Sequence, residues 1–173
     1  MTELISIRPI SEAEVHPLTQ LARDTFYRSF IYANTEERMK AYLDTQMSEK
    51  VMAGELADEK NIFFVLMVRG SWAGYAKLRQ GQVPDCVLGR HPIELERFYI
   101  HQDYHANGLG SLLMQHCIQW AVAEGKQTLW LGVWEENEGA IHFYRKKGFL
   151  KKGDKPFMMH DDLQKDWIME KAL

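Results

Sequence analysis

The feature that most constrains this chain is the stretch DYHANGLGSLLMQHCIQW, running from Asp103 to Trp120. Apolar residues recur at helical spacing through Leu109, Leu112, Leu113, Cys117, Trp120 and Ala121. Gly108 and Gly110 stand at the mouth of that pattern, although a glycine inside a helix costs about 1 kcal/mol against alanine. Two readings account for them. One is a tight turn into a core helix. The other is an anion site, because the first amides of a helix lack internal partners and carry partial positive charge. Without a Cβ, glycine lets a phosphate approach the backbone of Asn107, Gly108, Leu109, Gly110 and Ser111. The third glycine of the dinucleotide fingerprint is missing and no GK[ST] follows, so neither of those phosphate loops is present. Spacing alone leaves both readings open.

The flanking segments mix strands and helices without a repeat or a linker, which predicts one domain over residues 1–173. LISIRPI alternates as a first strand, and Ser11 with Glu14 forms a capping box that opens a helix buried through Val15, Leu18, Ala22 and Phe26. NTEERMKAYLD and SEKVMAGELAD read as shorter helices opened by Asn34 or Thr35 and by Ser48. IFFVLMV and WAGYAKLR flank a hairpin turn at Gly70-Ser71. In IELERFYI, strict alternation sends Glu94, Glu96, Phe98 and Ile100 one way, and Leu95, Arg97 and Tyr99 the other. QTLWLGVW is a buried strand, NEGAIHFYRKKGF a helix capped by Gly148, and MMHDDLQKDWIMEKAL holds one or two closing strands.

Composition narrows the partners. A formal charge of -3 argues against nucleic-acid binding by charge, and no helix-turn-helix pattern appears. No segment reaches the roughly 18 apolar residues of a membrane span, and Met1 to Ser11 lacks the layout of a secretory leader. Cys86 and Cys117 form no CxxC pair, which suits a cytoplasmic, reducing compartment. His16, His91, His101, His116, His142 and His160 show no metal spacing, so no metal is expected. Homodimerisation stays open.

LERFYIHQDYHANGLGSLL resembles motif A of the GNAT acetyltransferases, in which a [RQ]xxGx[GA] loop binds the pyrophosphate of acetyl-CoA. NEGAIHFYRKKGF resembles that family's motif B, NxxAxxFYxxxGF. Further segments, DTFYRSFIYANTEERMKAYLDTQMS, WAGYAKL and FMMHDDLQKDWIMEKAL among them, are similar to the PaiA-type spermidine/spermine acetyltransferases over most of the chain. The resemblance implies an α/β fold of mixed α+β character. Its central sheet would be twisted, mostly antiparallel, flanked by helices and splayed at the cofactor site. It also implies acetyl-CoA as co-substrate and a small-molecule amine, a polyamine such as spermidine, as acceptor; the alternatives are another small amine or a protein amine, or a non-catalytic acetyl-CoA-binding regulator. One departure is His105, which stands where the family has Arg or Gln; a histidine still donates to phosphate.

Acetyl transfer from a thioester to an amine needs a neutral amine, a polarised carbonyl and a protonated leaving thiolate. The resemblance assigns the last role to Tyr144, the second aromatic of motif B, and the base role to Glu96. Tyr144 also reads as a core aromatic, and Glu94 with Glu96 as an acidic wall for cationic nitrogens or a solvated strand edge. The backbone of Phe98, Tyr99 and Ile100 is expected to polarise the carbonyl, and His105 and Ala106 to complete the cofactor loop. Asn137 is expected to orient the cofactor, and equally reads as an N-cap. Arg145, Lys146, Lys147, Lys151 and Lys152 form a basic cluster that could meet the 3′-phosphate, with Lys146 expected as a cofactor contact, and most of the cluster reads as a solvated charged face.

Overall fold

The computed structural model describes residues 4–173. The expectation made of Met1 to Ser11 therefore rests partly on residues outside this range. Short polar side chains start the helices of the first half. Ser11 N–H donates to the Glu14 carboxylate at 3.0 Å and opens a 3-10 turn that leads into α1 (Val15–Phe30). Thr35 caps α2 (Glu36–Gln46) by accepting from Arg38 N–H at 3.2 Å, and Ser48 caps α3 (Glu49–Ala57) by accepting from Val51 N–H at 3.3 Å. Each cap satisfies a donor that the helix itself cannot.

Beyond these lie α4 (Leu109–Ala123) and α5 (Glu138–Lys146). The strands are β1 (Ile5–Pro9), β2 (Asn61–Val68), β3 (Ser71–Arg79), β4 (Pro92–Ile100), β5 (Thr128–Trp134), β6 (Leu150–Met159) and β7 (Asp162–Ala172). They form one sheet in the order β1-β2-β3-β4-β5-β7-β6, antiparallel except between β4 and β5. The turn between β2 and β3 is Arg69-Gly70, with φ of 50° and 81°, one residue earlier than expected. Positive φ at both central residues gives the twist that a two-residue hairpin needs. Strand β6 begins well before the apolar run that announces it, because its first half, LKKGDK, is polar edge.

The sheet separates two cores. Leu109, Leu113, Cys117 and Ala121 of α4, with Ile141 and Tyr144 of α5, bury against Leu78, Ile93, Leu95 and Leu131. Leu112, expected on the same stripe, stays 43% exposed. On the opposite face, Leu18, Ala22 and Phe26 of α1 pack with Met39, Leu43 and Met52 against Phe63, Val65 and Tyr75.

Two irregularities position the site. Strands β4 and β5 pair only from Pro92–Thr128 to Glu94–Trp130, and beyond that point they part. Strand β4 also carries a bulge. Lys77 opposes Arg97 and Leu78 opposes Leu95, which leaves Glu96 as the extra residue. The bulge reverses the alternation, so the expectation that Glu94, Glu96, Phe98 and Ile100 share one face is wrong. Phe98 and Ile100 join Ile93 and Leu95 in the α4/α5 core, whereas Tyr99 packs into the α1–α3 core. Glu94 and Glu96 meet cations instead.

Candidate active site

The gap between β4 and β5 opens into a cavity of about 770 Å³ that reaches both faces of the sheet. Of the residues expected to act, Glu94, Glu96, Phe98, Tyr99, Ile100, His105, Ala106, Gly108, Leu109, Gly110, Ser111, Asn137 and Tyr144 all line it. Asn107 and Lys146 do not.

At the cofactor-facing end, Gly108 caps α4 with φ +72°, a left-handed conformation that explains glycine there. Its carbonyl accepts the first helical hydrogen bond, from Leu112 N–H at 3.2 Å. The amides of Leu109, Gly110 and Ser111 precede that bond and have no carbonyl within the helix. A Cβ on Gly108 would meet nothing within 4 Å, so the space over this corner is open. Lys147 Nζ donates to Ser111 Oγ at 2.7 Å and adds a full positive charge to the helix mouth. Free amides, a helix dipole and an ammonium in open space fit a pyrophosphate.

The basic cluster is otherwise dispersed. Arg145 and Lys151 lie over the Trp167 ring at 5.3 and 4.2 Å, and Lys152 reaches Glu170 at 3.9 Å. Of this cluster, Lys147 is the residue that reaches the loop, through Ser111, whereas Lys146 is exposed. His105 Nε2 lies 2.8 Å from the Ile100 carbonyl, so that nitrogen carries the proton and ties the loop to the end of β4. Asn137 Oδ1 accepts from Ala140 N–H at 3.2 Å as the N-cap of α5.

Tyr144 is buried, its ring edge-on to Phe98 at 6.4 Å and to Phe149 at 5.7 Å. Burial, with a smaller contribution from Cys117, raises its pKa above the ordinary phenol value, so it keeps its proton at neutral pH. An aromatic wall occupies the α1–α2 side of the cavity. Ring centroids run from Phe157 to Tyr42 at 5.9 Å, to Phe26 at 4.7 Å, to Phe30 at 4.6 Å and to Trp134 at 6.1 Å.

The two glutamates of β4 are not free. Glu94 accepts from Arg79 Nε at 3.0 Å and Nη2 at 2.7 Å. Burial raises the Glu94 pKa by more than Arg79 lowers it. Glu96 meets the ammonium of Lys77, itself fully buried, and Arg79 Nη1 at 2.7 Å. Burial would raise its pKa, but Lys77, Arg97 and Arg79 outweigh burial and hold it below the ordinary value. Lys77 and Arg97 both also bind Glu55 of α3, at 3.1 and 2.6 Å. The expected acidic wall is a compensated ion network. Asp166 of β7 and Lys155 of β6 line the cavity as well, and nothing in the motifs pointed to them.

Residues 16–149 match the family model described as Acetyltransferase (GNAT) family. The chain belongs to the GNAT acetyltransferase family. It is 32% identical over 169 residues to an uncharacterised N-acetyltransferase of Lactobacillus delbrueckii subsp. lactis, covering 98% of each chain. Its fold is similar to that of the PaiA N-acetyltransferase of Thermoplasma acidophilum solved with coenzyme A. The TM-score is 0.81 at 21% identity, over 98% of this chain and 99% of that one. A Salmonella typhimurium protein solved with acetyl-CoA shares the fold at TM-score 0.67 and 20% identity, over 98% and 94% of the chains. This GNAT chain is an N-acetyltransferase that uses acetyl-CoA, and its open helix mouth suits that co-substrate. Among the described residues, no group of three His, Cys, Asp or Glu side chains is placed to hold a metal. No described helix is long and apolar enough to cross a membrane.

Proposed function

We propose that this GNAT enzyme acetylates a primary amine of a polyamine such as spermidine or spermine. The observation that carries the reading is the aromatic wall of Phe157, Tyr42, Phe26, Phe30 and Trp134, which shares one cavity with Tyr144 and the mouth of α4. Aromatic faces attract ammonium groups and accept aliphatic carbon, which together describe a polyamine chain. The similarity of the N-terminal half to PaiA-type enzymes supports the same choice.

Acetyl-CoA supplies the activated acetyl group. The amides of Leu109, Gly110 and Ser111, with the Lys147 ammonium, bind its phosphates. The amides freed along β4 from Phe98 to Ile100 polarise the acetyl carbonyl, and the β4–β5 gap is where such amides are unpaired. Asn137 and His105 hold the walls of the cofactor channel. Tyr144 donates its phenolic proton to the leaving sulfur. Glu96, held down by Lys77 and Arg79, is a weak base; with Glu94 it sets the charge and shape of the acceptor end.

A panel assay of CoA release, with mass analysis of the product, tests the proposal. Spermidine and spermine should give acetylated product at higher kcat/KM than putrescine, lysine, an aminoglycoside or a peptide amino terminus. Product from one of the latter with none from spermidine or spermine overturns the polyamine reading.

A further inference from the structure

We propose that Asp166 is the catalytic base of the acetyl transfer, receiving the proton of the acceptor ammonium. The inference rests on the amine-acetylation reading above. The other carboxylates of the cavity are already committed to cations. Glu94 is bound by Arg79, and Glu96 by Lys77 and Arg79. Asp166, by contrast, makes no side-chain hydrogen bond and no ion pair within 4.0 Å among the described residues, although its carboxylate is half-buried in the cavity.

Its position follows from β5. Asp166 pairs with Trp134 on one side and Lys155 on the other, so the three side chains stand on one face of the sheet. Gly132 lies on that face two residues before Trp134. A Cβ there would fall 3.3 Å from Asp166 Oδ2 and 2.9 Å from Lys155 Cε, so glycine is what lets both side chains lie against the strand. Gly132 also lies beyond Trp130, where β5 has already parted from β4. The carboxylate therefore sits at the gap, at the Trp134 end of the aromatic wall. An ammonium seated on that wall finds an unpaired acceptor there.

The groups facing Asp166 are few. Lys155 of β6 acts electrostatically on Asp166 and also on Glu94. Tyr42 faces it from α2, a phenol whose burial pushes its pKa up to about 12 and so keeps it neutral. Strand β5 presents only Gly132 and Trp134. Burial raises the Asp166 pKa to about 6, with Lys155 opposing. A base is most effective when its pKa is near the working pH. An alkylammonium ordinarily loses its proton near pH 10.4, so the attacking amine needs a group beside it to take that proton.

The step balances. The ammonium N–H proton moves to an Asp166 oxygen, and the freed lone pair forms the C–N bond to the thioester carbonyl carbon. The C–S bond breaks, its electron pair stays on sulfur, and sulfur takes the Tyr144 proton. The second nitrogen proton restores the Tyr144 phenol as the amide forms, and Asp166 releases its proton to solvent. One amide, one thiol and one proton result.

The test compares wild type with Asp166→Asn, Asp166→Glu and Glu96→Gln, each with acetyl-CoA and spermidine. Asp166→Asn should lower kcat by about 10²–10⁴-fold, with acetyl-CoA affinity unchanged by calorimetry. It should also remove the acid limb of the kcat/KM profile near pH 6, and Asp166→Glu should restore part of the rate. Independently of turnover, carbon-13 NMR of aspartate-labelled protein should show one carboxyl, absent in Asp166→Asn, titrating near 6. Wild-type kcat and an intact acid limb in Asp166→Asn overturn the proposal, as does a limb removed by Glu96→Gln instead. An ordinary carboxylate midpoint for Asp166 also overturns it. If wild type forms no N-acetylated amine, the amine reading itself falls; product formed equally by wild type and Asp166→Asn removes Asp166 alone.

Discussion

Lys147 Nζ donates to Ser111 Oγ at 2.7 Å, which fastens the C-terminal end of α5 to the first turn of α4. The same ammonium lies 5.5 Å from the centre of the Phe143 ring, so ring and hydroxyl together hold it over the amides of the helix mouth. Lys147→Ala should therefore weaken acetyl-CoA binding by about tenfold, in line with about 1.5 kcal/mol for a charge-assisted hydrogen bond. Lys146→Ala should change it little, because Lys146 is exposed and it is Lys147 that reaches Ser111. Calorimetric titration at low and high salt checks both, with the gap between wild type and Lys147→Ala narrowing as salt rises.

Gly108 separates conformational cost from electrostatic cost. A methyl group at this position meets nothing within 4 Å, so Gly108→Ala carries only the strain of φ +72°. That strain amounts to about 1–2 kcal/mol of stability. Gly108→Glu carries the same strain and adds an anion beside the phosphate seat. Its acetyl-CoA affinity should fall by orders of magnitude, far below that of Gly108→Ala. Equal affinities in the two variants would remove the phosphate from this corner.

Tyr144→Phe retains the ring that packs against Phe98 and Phe149 and removes only the hydroxyl. The fold should therefore be kept, as should the Kd for acetyl-CoA, while kcat falls by about 10²–10⁴-fold. Protonation of the sulfur helps only the transition state, so the loss belongs in kcat. Pre-steady-state CoA release measures it, and near wild-type kcat would assign the proton to water.

Lys77 is 1% exposed and neutralises both Glu55 and Glu96. Lys77→Met leaves those carboxylates short of a cation in the interior, which costs about 3–5 kcal/mol when a buried pair is broken. Urea unfolding should show that loss, and the double variant Lys77→Met/Glu96→Gln should recover part of it. Additive effects of the two substitutions would mean that the pair is not coupled.

Asp166 should weaken the fold as pH rises. Its folded pKa, about 6, lies above the ordinary 3.8. The folded state therefore holds the proton more tightly than the unfolded state, and stability declines as pH climbs from about 4 through about 6. The full shift corresponds to about 3 kcal/mol, reduced by the solvent that reaches a half-buried group. Asp166→Asn should thus raise Tm at pH 7.5 and leave it nearly unchanged at pH 4. Thermal scans at the two pH values check the sign, and a lower Tm at pH 7.5 would contradict it.

What the sequence determined by itself is local. The mouth of α4 and the N-cap of α5 are written in neighbouring residues, because a helix end is satisfied by groups within a turn of it. Two such ends in the right order sufficed to indicate the family and its acetyl donor. The tertiary structure decided whatever depends on partners far along the chain. Strict alternation placed Glu94 and Glu96 beside Phe98, but the bulge at Glu96 arises from the register of β4 against β3, which no pattern within β4 contains. Lys147 rather than Lys146 reaches Ser111 because the last turn of α5 sets which lysine faces α4. Asp166 had no motif to mark it. It belongs to the site because β7 pairs with β5 at Trp134, because Gly132 leaves room, and because β4 turns away after Glu94. Those are long-range pairings, and a carboxylate's proton affinity depends on the burial and charges that such pairings bring to it.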